Sequence, residues 1–88
     1  MTEQEVTVVN SLGIHARPAS LIVQTAGEFD AEIKLEMKDV VADAKSIMSV
    51  MMLAAARDSK VIIRADGADE AEAVKAVAKL FEDKFNEE

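Results

Sequence analysis

The chain has 88 residues, with seventeen acidic against ten basic side chains and a net charge of −7 at neutral pH. That length supports one small domain spanning residues 1–88, near the lower limit at which a hydrophobic core holds itself together unaided. The absence of cysteine excludes a disulfide framework and a thiolate metal site. A lone histidine cannot anchor a tetrahedral zinc, so neither metal nor cofactor is expected. The acidic balance argues against nucleic acid and against anionic membrane surfaces as partners.

The opening segment Met1-Thr2-Glu3-Gln4-Glu5 lacks the basic and apolar regions of a secretory signal. No apolar run reaches the roughly twenty residues needed to span a bilayer. A soluble, cytoplasmic protein is therefore expected. All three aromatic residues are Phe, so the core must rely largely on Val, Ile, Leu, Ala and Met.

In chain order, the short β-branched run Glu5 to Val9 predicts a first strand. The polar loop Asn10-Ser11-Leu12-Gly13 leads into His15, Arg17 and Pro18. An apolar, proline-free run follows, and it predicts a helix ending near Ala26. Ala19, Ile22, Val23 and Ala26 share one face of that helix. Gly27 is expected to close it in the left-handed conformation common just past a helix end.

From Ala31 to Lys38 the pattern alternates, with Ile33, Leu35 and Met37 on one side and charged residues on the other. This is a half-buried strand with one wet face. Asp39 is the expected turn and Val40 to Ala42 a short partner strand, although Lys38-Asp39 is a weaker hairpin signal than Asn-Gly. A second helix is predicted from Ile47 to about Arg57, with Ser46 as its N-cap. Asp58-Ser59 breaks it. Lys60 to Ala65 then reads as a strand near the middle of a sheet, because Ile62 puts an apolar group on its second face.

Gly67-Ala68-Asp69 opens a last helix, with Asp69 and Glu72 in capping-box spacing. Val74, Val77, Ala78, Phe81 and Phe85 form its apolar stripe. The tail Asn86-Glu87-Glu88 is expected to fray. The order strand, helix, strand, strand, helix, strand, helix predicts an α+β two-layer sandwich with crossover connections. Pattern alone leaves the strand order open.

The chemistry concentrates at His15. It stands at or just before a helix start, where backbone N–H groups lack intrahelical partners and anions, phosphate above all, are attracted. A surface histidine with no task is one reading. The other takes account of its neighbours: a helix N-terminus opposes positive charge, which suits an uncharged nucleophilic imidazole. Phosphate placed there would meet the dipole, the free N–H groups and Arg17. Pro18 fits the first turn because its missing N–H would be unbonded anyway, and it fixes where the helix starts.

Ser46 has a plain reading as a helix cap. A phosphate on it would also be compatible with that helix start. Beside it, Ile47, Met48, Met51 and Met52 crowd one short helix. They are either core or an adaptable Met-rich contact surface, and periodicity does not choose. No catalytic carboxylate pair stands out, and no Gly-rich loop with a lysine points to ATP.

Gly13-Ile14-His15-Ala16-Arg17-Pro18-Ala19 resembles the active-site signature of the HPr family, the histidine-containing phosphocarriers of the bacterial sugar phosphotransferase system. Lys45-Ser46-Ile47-Met48 resembles the regulatory-serine signature of members from low-GC Gram-positive bacteria. The resemblance covers essentially the whole chain. It implies an open-faced β-sandwich of βαββαβα order, its four antiparallel strands arranged 1-4-2-3 with helices on one face.

The resemblance also implies that His15 accepts phosphate on Nδ1 from enzyme I and passes it to IIA domains of sugar permeases. Arg17 would stabilise the transferred group. HPr kinase/phosphorylase would modify Ser46, lowering transfer at His15 and promoting binding to the catabolite control repressor. Ile47, Met48 and Met51 would dock partners, and the carrier, itself no free-standing enzyme, is expected to be a monomer. Asp39, Ser49 and Ala54 stand where the family often has glycine, which bears on the hairpin and on the fit of the Ser46 side. Relatives of the Crh type lack the histidine and are set aside by His15. A mainly regulatory binding module and a nitrogen-related phosphocarrier are the alternatives.

Overall fold

A computed structural model describes residues 1–86. Its elements are β1 (Thr2–Thr7), α1 (Ala16–Ala26), β2 (Glu32–Met37), β3 (Val40–Asp43), α2 (Ile47–Leu53), β4 (Lys60–Asp66) and α3 (Glu70–Glu82), followed by a single turn at Lys84–Asn86. The expected order of elements is all present. The strands form one antiparallel sheet in the order β1-β4-β2-β3. Because β4 lies between β1 and β2, the α1 connection must cross over it, and the α2 connection must likewise cross over β2.

One face of the sheet carries Val6, Val61, Ile63, Ala65, Ile33, Leu35 and Ala42, all buried. The register stacks them in rows, Ile63 beside Leu35 and Leu35 beside Ala42. Helices cover this face with Ala19, Ile22 and Ala26 of α1, Val50 and Leu53 of α2, and Ala73, Val74, Val77, Ala78 and Phe81 of α3. The other face is open and charged. There Arg64 pairs with Glu3 at 2.6 Å and with Glu36 across its two neighbouring strands. Ile62 sits half-buried among them, as an interior strand of the sheet allows.

Several local expectations are corrected. The first strand begins at Thr2 and ends at Thr7, because pairing with β4 extends it over the polar residues Thr2 to Glu5. Gly27 has φ −65°, a right-handed value, and its N–H still donates to Val23 O at 2.9 Å, so α1 ends without a left-handed residue. Val23 is only partly buried against the core.

The second helix stops at Leu53, well short of Arg57, since Ala54 turns left-handed at φ 53°. The expected capping box at α3 does not form. Asp69 turns its carboxylate away, accepting from the N–H groups of Asp30 and Ala31 at 2.9 and 2.8 Å. These donors hold its carboxyl below the usual carboxylate range and clamp the α1–β2 connection to the start of α3.

The hairpin closes through Lys38-Asp39, with Lys38 rather than Asp39 in the left-handed region at φ 54°. Ser49 has its own use, its Oγ accepting from Asp43 N–H at 2.8 Å and tying α2 to β3. Phe85 lies beyond α3 rather than on it. The left-handed run Lys84, Phe85, Asn86 folds its ring back into the core, 4.9 Å from Phe81 and edge-on. Asn86 belongs to this turn, and the frayed tail expected for Glu87 and Glu88 lies outside the described residues.

Candidate functional site

His15 is the N-cap residue of α1, with extended backbone at φ −108° and a side chain that does not cap the helix. Its carbonyl accepts the first intrahelical bond, from Ala19 N–H at 2.9 Å. Arg17 follows within the first turn, exposed, and Pro18 is buried beneath it. Arg17 Nη1 donates to the carbonyl oxygen of Phe85 at 2.9 Å. The guanidinium is thus held from the far end of the sequence. Sequence reasoning placed Phe85 in the core but missed this contact, because nothing in an apolar stripe marks a backbone carbonyl as a ligand.

The loop ahead of His15 is fastened at three points. Asn10 is fully buried, and its Nδ2 donates to Gly13 O at 2.7 Å. Val8 N–H donates to Ser59 O and Asp58 N–H to Val8 O, at 2.9 and 2.7 Å. Ile14 N–H donates to Ala55 O at 2.9 Å. Gly13 lies against the same stretch, with φ +69°, and a Cβ there would come within 2.5 Å of Ala55 O. Only glycine accepts both that dihedral and that approach. The His15 loop is therefore built directly onto the segment that follows α2.

Ser46 is the N-cap of α2, as expected, its Oγ accepting from Ser49 N–H at 3.3 Å. It lies at the opposite end of the helix from Ala55. Seven residues of rise separate the two ends, about 10 Å. Between the two ends runs the exposed side of α2.

That surface is apolar. Val50 and Leu53 take the core side of α2, leaving Ile47, Met48, Met51 and Met52 exposed, and Leu12 is exposed in the neighbouring loop. The open question of core against surface is settled for all four. Met52 is exposed with the other three, and Leu12 is an exposed apolar residue that the sequence reading did not single out. The signal for Leu12 was legible, a large apolar residue set in a polar turn.

A concavity of about 520 Å³ lies on the open face between Glu5, Glu36, Lys38, Arg57, Lys60 and Ile62. It touches none of His15, Arg17 or Ser46. Among the described residues no cluster of His, Asp or Glu could hold a metal ion, and no helix is long and apolar enough to cross a membrane.

Comparison with known proteins agrees with this geometry. Residues 2–83 match the family model described as the PTS HPr component phosphorylation site. The chain is 46% identical over 88 residues to the phosphocarrier protein HPr of Xylella fastidiosa strain Temecula1, covering 100% of this chain and 99% of that protein. It is 46% identical over 88 residues to the phosphocarrier protein HPr of Treponema pallidum strain Nichols, with 100% of both covered. The crystal structure of HPr-C-His from Thermoanaerobacter tengcongensis superposes with a TM-score of 0.95 at 44% identity, covering 100% of this chain and 99% of that one. Fold, signature and full-length similarity converge: the chain belongs to the HPr family, the phosphocarriers of the phosphotransferase system.

Proposed function

We propose that His15 is the phosphoryl acceptor and Arg17 the group that stabilises the phosphate. Phosphorylated enzyme I, charged by phosphoenolpyruvate, presents the group to His15 Nδ1. The donor's bond to phosphorus breaks as the N–P bond forms, and IIA domains of sugar permeases take the group in the reverse sense. Such transfer asks mainly for positioning and charge neutralisation. The observation that carries the reading is the position of His15, N-cap of α1 with its side chain uncommitted to capping and Arg17 two residues on. The new dianion faces the helix start, where the dipole favours negative charge. At Arg17 Nη1 a phosphate oxygen would be a stronger acceptor than the Phe85 carbonyl it now meets.

The protein acts in this reading as a cytoplasmic monomer, a transiently phosphorylated component and not a free-standing enzyme. Incubation with phosphoenolpyruvate and enzyme I is expected to place acid-labile, base-stable phosphate on His15, located by mass spectrometry. A His15→Ala variant that still took phosphate from this donor would sink the proposal.

A second role is supported by the cap of α2. Phosphorylation of Ser46 by HPr kinase/phosphorylase with ATP adds a dianion where the helix already receives an acceptor oxygen, so it need not unfold α2. It does change the charge beside Ile47, Met48 and Met51, the surface proposed to meet enzyme I, IIA domains and the catabolite control repressor. Ser46→Asp should slow transfer to His15 and raise repressor affinity. Unchanged values for both would remove the regulatory role and leave the carrier role standing.

A further inference from the structure

The chain contains no cysteine, so no thiol is present to intercept an oxidant. Its most reducing side chains are the five methionines, and the fold sorts them unevenly. Met37 is partly buried against the core. Met48, Met51 and Met52 are 72%, 45% and 76% exposed on α2. Met48 and Met52 are spaced i, i+4, with Met51 at i+3, which puts the three thioethers on one helix face. The same helix buries Val50 and Leu53 in the core. Changing the exposed sulfurs therefore leaves the packing of α2 alone.

We propose that Met48 and Met52, with Met51 following, are a reversible oxidation site through which peroxides lower phosphotransfer. This rests on the reading of α2 as the docking surface. The sulfur lone pair attacks one oxygen of hydrogen peroxide, and the O–O bond breaks. Methionine and peroxide give methionine sulfoxide and water, with sulfur oxidised by two electrons and peroxide reduced by two. No net charge is added. An apolar, adaptable side chain becomes a polar one carrying a strong acceptor oxygen.

On the free protein that oxygen is solvated and costs nothing. Beneath a partner it loses water without gaining a matched donor. The penalty thus falls on association and not on the His15 chemistry, so it enters through KM. Methionine sulfoxide reductase with a dithiol reverses it.

The test treats the intact protein with hydrogen peroxide, maps sulfoxide at each methionine over time by peptide mass spectrometry, and follows phosphorylation by enzyme I and phosphoenolpyruvate. Met48 and Met52, together with Met1, which is 75% exposed away from α2, are expected to react first and Met37 last. The KM for the oxidised carrier should rise roughly five- to a hundredfold, with the circular-dichroism spectrum unchanged. Sulfoxide reductase should restore it. The triple variant Met48→Leu, Met51→Leu, Met52→Leu, whatever its basal rate, should show nearly the same rate before and after peroxide.

Equal reactivity at Met37 and Met48 overturns the inference. Met48→Asp separates the two readings without oxidant. If that variant is slow while the oxidised protein transfers at full rate, the oxidation inference fails alone. If both transfer at full rate, the docking surface fails with it.

Discussion

Replacing Gly13 by alanine tests the idea that the His15 loop is positioned by a backbone contact. The residue sits at φ +69°, which costs an L-side chain about 1–2 kcal/mol. Its new Cβ would stand 2.5 Å from Ala55 O and 3.0 Å from Ala56 Cα, both backbone atoms that cannot swing aside. Relief requires the loop and the 54–56 stretch to separate. That weakens the bond from Ile14 N–H to Ala55 O, now 2.9 Å long, a loss of about 1 kcal/mol. The stiffer unfolded chain returns about 0.4–1 kcal/mol.

The sum is a net destabilisation of about 1–2.6 kcal/mol, or roughly 4–21 °C in Tm for a domain of this size. Urea denaturation followed by circular dichroism measures it, with Gly27→Ala as the control. Gly27 has a right-handed φ of −65°, so alanine there should be neutral or stabilising by up to about 1 kcal/mol. The folded Gly13→Ala protein should also accept phosphate from enzyme I more slowly, because the N-cap position of His15 moves with the loop. A loss of stability below about 0.5 kcal/mol, no larger than an ordinary surface substitution, would refute the positioning argument.

Four further outcomes are expected. Phe85→Ala, which deletes a fully buried ring packed edge-on to Phe81, should cost about 3–5 kcal/mol in denaturant titration; Phe85→Leu should cost less and keep phosphotransfer closer to normal by holding the carbonyl that binds Arg17. Ala54→Gly should stabilise by about 0.5–1 kcal/mol, because Ala54 carries the left-handed turn at φ 53° that ends α2. Ser46→Ala should lose about 1 kcal/mol of cap energy in the same assay.

The fourth concerns acid. The Thr2 hydroxyl, the N-terminal ammonium and the Gly67 N–H hold Glu70 down to about 2 from an ordinary 4.5. Between those values the unfolded chain binds the extra proton, so stability is fully present above about 4.5 and is lost as pH falls toward 2. Asp69, lowered by the Asp30 and Ala31 N–H groups, acts in the same direction. Glu70→Gln should flatten the acid limb of a stability–pH curve; an unchanged slope would show that the Glu70 contacts do not persist in solution.

Much of the fold was legible because its signals are local. The alternation at Ile33, Leu35 and Met37, the Ser46 cap and the apolar stripe ending at Phe81 each depend on residues a few positions apart. His15 and Arg17 were legible for the same reason, since a helix start declares itself through Pro18 and the run after it. The resemblance then supplied the strand order, which no local pattern contains. Errors arose where a distant partner outcompeted a local one. Asp69 had a cap position available and instead took two N–H groups of the α1–β2 connection. The α2 helix had the composition to continue, but Ala55 is required beside Ile14, and the chain turns at Ala54 to deliver it.

What the sequence by itself determined was which groups meet at the start of α1, one imidazole and one guanidinium beside Pro18, in a chain with no thiol or nucleotide loop. These are properties of residue type and spacing. Tertiary structure alone decided how that chemistry is held and what surrounds it. It brought the Phe85 carbonyl to Arg17, set Gly13 against Ala55, and turned Met48, Met51 and Met52 outward. Each of those contacts joins residues remote in sequence, or depends on which side of a short helix the sheet covers, and neither is written in any local run of the chain.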